Sequence, residues 1–308
     1  MSCEARELLL PVTEIRRRCT GESHQSLYPL CRPGTTAVSI ASAATREQAE
    51  LEAAVFFTVC KIGGVSAHPL GIHHVRPQAQ RLTIRLLAEP GVIRYWAEML
   101  LPRDNIECAD PRDRVGGVCG LRSRTGNGGV HLYRPGHTGR LLLTGFPAHW
   151  WDRVTQRVQY NYTALFTRPV WTPIEQAAYA TLRASALEPP LIGSPLLRRI
   201  RATAGPGPVN STDAWTTLGG IRLETTDGPP CDEFIRLFTD GPCGLGWQVE
   251  TVSCACHRGR EEHLGCMVDF RMPNTEQYVY YSNLRWNRTM DARRRELLAE
   301  MNQRAFTD

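Results

Sequence analysis

Lysine is all but missing from this chain. Of its 36 basic residues, Lys61 is the one lysine and the other 35 are arginine. A GC-rich coding sequence favours arginine, yet twelve isoleucines and eight asparagines persist, and their codons are AT-rich. Lysine is the ubiquitin acceptor, a role arginine cannot fill. The deficit therefore has two readings, codon bias and a working life beside ubiquitin ligases. Long apolar runs are also lacking, which excludes a helical membrane span. The opening "MSCEARELLLPVTEIRRRC" has acids ahead of a short apolar run and no small-residue cleavage site, unlike a secretory leader. A cytosolic or nuclear location is the expectation. Enzyme signatures are missing too. "GLRSRTGNGG" lacks the Gly-Lys-Ser/Thr ending of a phosphate loop, and there is no G-x-S-x-G, H-E-x-x-H or deaminase signature. With no nucleophile–base set, no enzymatic activity is expected.

What is present indicates a folded α+β protein. The 308 residues are enough for one large domain or two ordinary ones. Hydrophobic content of 42% with 22% charged residues marks a globular chain, and a net charge of +5 permits nucleic-acid contact without demanding it. Residues 1–36 read as a polar lead-in with short structure. Over 45–62 the spacing predicts a helix capped by Thr45, with Gln48 completing a capping box. "GGVSAHPLGIHHVRP" reads as a turn-rich connection; in a strand its adjacent His73 and His74 would face opposite sides, which argues against a shared metal. "QRLTIRLLA" and "RLLLTGF" predict strands, while "GVIRYWAEMLLP" suits a strand or a short helix. Residues 102–140 read as loops and hairpins. A second helix is predicted over 172–187, with Thr172 as cap and Pro173 at the first helical position. From residue 215 onward, strands punctuated by Gly, Pro and Asn dominate, and "DARRRELLAEMNQRAF" closes the chain as a helix capped by Asp291. The expected architecture is mixed and antiparallel sheets with a few helices. It divides into an N-terminal α+β region over 1–145 and a Cys/His-containing α+β domain over 146–308, the latter zinc-stabilised.

Cysteine is the residue with most to say. The chain has eleven, an odd number. In a reducing compartment clustered cysteines are read as metal ligands before disulfides. "CACHRGREEHLGC" packs Cys254, Cys256, His257, His263 and Cys266 into thirteen positions. Zinc takes four thiolate or imidazole ligands in a tetrahedron. A hairpin would gather Cys254, Cys256, His263 and Cys266 as one set. His257 follows Cys256 directly and points to the other face of a strand. Cys231 and Cys243 lie upstream, and either could complete a set. The alternative is buried apolar cysteines beside two surface histidines. The spacing matches no standard zinc finger.

Sequence around the cluster resembles the adenovirus early-region-4 34-kilodalton protein family over about residues 155–290. Trp247 stands at the family's Trp, and Cys254, Cys256 and Cys266 at its Cys/His positions. Gln277-Tyr278-Val279-Tyr280-Tyr281 is similar to its aromatic strand. Upstream, "NYTALFTRPVWTPIEQAAYATLR" is similar to the family's Trp- and Pro-containing lead into a helix, with Thr172, Glu175, Leu182 and Arg183 as equivalents. The resemblance implies a viral early regulatory adaptor, the substrate-recruiting part of a host cullin–elongin ubiquitin ligase. Such a protein acts with an early-region-1B-type viral partner in the host nucleus and cytoplasm, and promotes degradation of host proteins and viral mRNA export. The family meets elongins through a leucine box. Leu27 with Cys31, interrupted by Pro29 and Pro33, and Leu182 with Ala186 are the nearest candidates here. The final run, Arg293, Arg294 and Arg295, is a short analogue of the family's arginine-rich portion.

A second function class fits the basic runs. "PLLRRIRA", "LRSRTGNGG" and the final arginine helix, with Trp and Tyr for stacking, suit a zinc-stabilised regulator that contacts RNA or DNA. The same runs also read as solvated surface.

Overall fold

The computed structural model describes residues 3–30, 39–60, 65–108, 110, 113–184, 190–205, 207, 210–217, 219–254, 265–273, 275–284, 293, 296 and 300. In chain order its helices are α1 (Cys3–Thr20), α2 (His24–Leu27), α3 (Arg46–Val59), α4 (Pro90–Leu100), α5 (Ala148–Asn161), α6 (Pro173–Ala184), α7 (Gly193–Leu197) and α8 (Cys231–Thr239). Its strands are β1 (Val65–Ser66), β2 (Ile72–Gln78), β3 (Arg81–Leu86), β4 (Arg103–Asp104), β5 (Val115–Gly116), β6 (Arg122–Gly126), β7 (Gly129–Tyr133), β8 (Arg140–Thr144), β9 (Thr163–Ala164), β10 (Asn210–Thr217), β11 (Gly220–Thr226), β12 (Gln248–Ser253), β13 (Cys266–Arg271) and β14 (Tyr278–Leu284). The class is α+β, with mixed and antiparallel sheets. No described helix is long and apolar enough to cross a membrane.

Two compact units are interleaved along the chain. The first takes Met1–Ser42, Cys60–Gln78 and Arg198–Leu297, and the second takes Ala43–Val59, Ala79–Leu197 and Leu298–Asp308. The expected boundary at 145/146 falls inside the second unit, between β8 and α5.

The first unit is built on a six-stranded sheet in the order β1-β10-β11-β14-β13-β12. Its β11–β14 pair is parallel and the other pairs are antiparallel. Alternation along β13 buries Cys266, Val268 and Phe270 and turns Met267 and Arg271 outward, as the two-residue period of a strand requires. Helix α8 covers the buried face with an aromatic ladder. Phe234 stacks on Tyr281 with centroids 3.6 Å apart, and Phe238 stacks on Trp247 at 4.9 Å. Each fully buried ring is worth about 1.5–3 kcal/mol of transfer free energy, so this ladder sets where α8 sits. The expected polar lead-in is instead the 18-residue α1. Its packing supplies what local signals do not: Arg16 is buried, donates from Nε to the buried Glu22 at 2.9 Å, and reaches the Ser39 carbonyl at 2.7 Å. Adjacent His73 and His74 also depart from expectation. They lie in β2, yet their rings lean together until the Nδ1 atoms are 3.1 Å apart.

In the second unit β3, β8, β7 and β6 lie side by side in that order. The strand/helix ambiguity over 90–100 resolves to α4, which buries Val92, Ile93, Trp96, Ala97 and Leu100 on one stripe. Thr45 caps α3 as expected, accepting from the Gln48 N–H at 3.2 Å. The Gln48 side chain, however, does not complete a capping box. It pairs with the β8 backbone, accepting from Arg140 N at 2.7 Å and donating to Arg140 O at 2.9 Å. At α6 the box is complete. Thr172 Oγ1 accepts from the Glu175 N–H at 3.3 Å, and Glu175 Oε2 accepts from the Thr172 N–H at 2.9 Å.

Candidate metal centre

Strands β12 and β13 pair so that Ser253 faces Met267. One step further brings Cys254, just past the end of β12, level with Cys266, at the start of β13. Their sulfurs are 3.3 Å apart. A third thiol arrives from a distance in sequence. Cys231 opens α8, behind Pro230 at the N-cap. Its Sγ lies 2.8 Å from Cys254 Sγ. All three Sγ atoms fall within 4.8 Å of one another, with Cys231 and Cys266 buried and Cys254 half-buried. No disulfide joins them.

Two devices hold Cys231 in place. The Phe234–Tyr281 stack anchors the first turn of α8 on the sheet. Ahead of it, Asn283 of β14 grips the approach loop. Its Oδ1 accepts from Gly228 N at 2.9 Å, and its Nδ2 donates to Pro229 O at 3.0 Å. Tyr281 adds a hydroxyl contact to Thr225 Oγ1 at 3.0 Å. The position at the helix N-terminus suits a thiolate, because the exposed N–H groups and the helix dipole favour negative charge there. Three converging sulfurs on rigid elements are a donor set for a soft or borderline cation. The cluster could hold a metal ion.

The structure thus brings together two of the ligands expected from the sequence, Cys254 and Cys266, and adds Cys231. Cys256, His257 and His263 lie outside the described residues. Cys243, the other upstream alternative, is elsewhere. Arg199 Nε donates to its carbonyl oxygen at 2.6 Å, and burial raises its thiol pKa against the opposing pull of Arg199. No local spacing pointed to Cys231 over Cys243. Only the packing of α8 distinguishes them.

No family model, curated protein or solved structure matches this chain.

The other singled-out residues are placed as follows. Leu27 is buried, and Cys31 lies outside the described residues. Leu182 is half-buried against Val115, Cys119, Leu165 and Ala178, and Ala186 lies outside the described residues. Arg293 is exposed and pairs with Glu296 at 3.1 Å, while Arg294 and Arg295 are outside the described residues. The "PLLRRIRA" run is not solvated surface. Arg198 and Arg199 are buried. Arg198 Nη1 donates to the carbonyls of Ala41, at 2.5 Å, and Gln78, at 3.1 Å. These guanidiniums solvate backbone carbonyls inside the first unit and are not displayed to a phosphate backbone.

Proposed function

We propose that Cys231, Cys254 and Cys266 hold a structural zinc ion, and that the domain it braces is a viral early adaptor of the kind the early-region-4 resemblance implies. The convergence of the three thiols carries this reading, since two of them stand at the Cys/His positions of the resembling segment. Thiolates bound to zinc at about 2.3 Å lie about 3.8 Å apart in a tetrahedron. Two of the separations here, 2.8 and 3.3 Å, are shorter than that, so a bound ion would spread the sulfurs. The fourth ligand comes from Cys256, His257 or His263, which the chain tethers between Cys254 and Cys266.

In this reading the metal does no chemistry. It fixes the junction of α8, β12 and β13, and the surface so held recruits partners. Those partners are the host cullin–elongin machinery and an early-region-1B-type viral protein, acting in the nucleus and cytoplasm to degrade host proteins and favour viral mRNA export. Scarce lysine supports a position beside a ubiquitin ligase. Of the two leucine boxes, the one at Leu182 and Ala186 is the better elongin contact, because Leu27 is committed to the core. The nucleic-acid alternative draws less support. Besides the buried arginines of 198–199, the outward side of the six-stranded sheet mixes Arg222 and Arg271 with Asp213, Glu224 and Asp269, so it offers no basic stripe.

Affinity capture of the full chain from host cells, followed by mass spectrometry, tests the adaptor role. Elongins and a cullin are expected in the eluate, and their absence rejects the ligase assignment. Metal analysis of the purified protein tests the zinc.

A further inference from the structure

At the end of α1 the first unit holds a polar, partly open pocket of about 280 Å³, lined by Arg17, Arg18, Gly21, His68, His73 and Arg201 together with Glu14 and Glu22. Both acids are already engaged. Glu14 takes Arg17 Nη1 at 2.5 Å. Glu22 takes Arg16 Nε at 2.9 Å and stands 3.9 Å from Arg76. Arg18 is held by Glu233 at 2.6 Å. Arg201, from the 3₁₀ turn Ile200–Thr203, has no carboxylate partner among the described residues, and its Nη1 makes only a long 3.5 Å contact to the Ile72 carbonyl. Among the lining residues, three arginines (Arg17, Arg18, Arg201) against two acids (Glu14, Glu22) leave a surplus of one positive charge with the histidines neutral.

Two unsatisfied donors belong to arginines that line the pocket. Arg17 Nε and Arg201 Nε are both buried and meet no hydrogen-bond acceptor. A buried charged donor left unsatisfied costs about 1–3 kcal/mol or more, and native folds rarely carry one without a reason. Here two from different elements border the same pocket. Its wall also depends on glycine. Gly21 sits at φ +76°, and a Cβ there would meet the His73 carbonyl oxygen at 2.7 Å. The end of α1 can close against β2 only without a side chain at that position. The helix dipole opposes an anion at this end of α1, but by about 0.3–1 kcal/mol. Converging guanidiniums outweigh that, each charge-assisted bond contributing about 1.5–3 kcal/mol. Burial lowers the Arg201 pKa to about 10, with Arg18 adding to the effect, so the group is still a cation at neutral pH.

We propose that this pocket binds the terminal phosphoryl group of a small phosphomonoester, through the guanidinium groups of Arg17, Arg18 and Arg201, with the two imidazoles completing the cradle. A dianionic phosphoryl group offers three oxygens to donors that converge from several directions. A planar carboxylate offers two, and a phosphodiester carries one charge and a second substituent that the concave site must also admit.

The test is calorimetric titration of the full-length protein, at constant ionic strength, with inorganic phosphate, ribose 5-phosphate, a dinucleotide diester and acetate. Phosphate and ribose 5-phosphate are expected to bind in preference to the diester and acetate. Arg201→Met and Arg17→Met are each expected to weaken that binding by about tenfold or more, the equivalent of one charge-assisted hydrogen bond. Circular dichroism establishes that each variant is folded, and if Arg201→Met is not, Arg17→Met decides. Three results overturn the proposal: no binding of phosphate tighter than about 10 mM, equal affinity for the diester or acetate, or unchanged affinity in the folded arginine variants.

Discussion

Asn283 stands directly across the β13–β14 ladder from Cys266, and its side-chain amide holds the Gly228–Pro229 loop that ends at Cys231. One residue therefore neighbours one thiol in the sheet and positions the approach to another. Groups that orient metal ligands matter to affinity nearly as much as the ligands do. Asn283→Ala is expected to weaken metal binding by about 10–100-fold while leaving all the thiols present. Competition with a chromophoric chelator reads this directly. An unchanged affinity would show that the loop finds its position without the amide.

Zinc content distinguishes the structural ligand set from the one expected from local spacing. The purified protein is expected to carry one equivalent, lost in a Cys231→Ser, Cys266→Ser double variant along with much of the fold of the first unit. Cys243→Ser serves as the contrast, because that cysteine lies apart from the trio, and it is expected to keep its zinc. Loss of zinc from Cys243→Ser, or full retention in the double variant, would reject the site.

Glu175 is the polar hub of the second unit. Its two oxygens accept from Arg122 Nη1 and Nη2, each at 2.9 Å, from Gly120 N at 3.0 Å, and from the Thr172 N–H and hydroxyl at 2.9 and 3.0 Å. Both Arg122 and Glu175 are buried. Removing one partner of such a pair leaves a buried charge uncompensated, at a cost of about 3–5 kcal/mol. Glu175→Ala is expected to fall in that range by urea denaturation. Burial alone would raise the Glu175 pKa, but the bonds from Arg122 and Thr172 outweigh it and the value is lowered from 4.5. A lowered folded-state pKa means the stabilisation is complete above about pH 4.5 and is lost as pH falls through the lower folded value. Acid titration of the unfolding free energy of wild type and Glu175→Gln is expected to converge in that region.

His68 gives a second pH signature, at higher pH. Burial, then the charge of Arg201, then His73 lower its pKa from 6.5 to about 4. The unfolded chain therefore binds a proton in this window that the folded chain refuses. Stability is expected to be full above about pH 6.5 and to decline as pH falls toward 4. His68→Gln, which cannot titrate, is expected to flatten that part of the profile. An unaltered pH profile in the variant would show that the His68 pKa is not lowered on folding.

Elements whose signals are local were legible in the sequence. The cap at Thr172 and the proline at Pro173 act within one helical turn, so α6 could be read before any packing was known. The strand character of β11, β13 and β14 was equally plain, because Gly, Pro and Asn punctuate the runs between them. Helix α1 was not legible. Its burial of Arg16 against Glu22 and Ser39 is a tertiary arrangement, and packing of this kind supplies most helical stability in proteins. Gln48 shows the same limit from the other side: its position suited a capping box, but a strand backbone 92 residues away offered two better-matched hydrogen bonds.

The sequence by itself determined the α+β class and the inclusion of Cys254 and Cys266, since chain proximity and strand register bring those two together. Only the tertiary structure decided that Cys231 joins them and Cys243 does not. Both are upstream cysteines with nothing local to separate them. The difference is a long-range packing choice, made where Phe234 stacks on Tyr281 and Asn283 holds the loop, and neither contact leaves a mark in the spacing of cysteines along the chain.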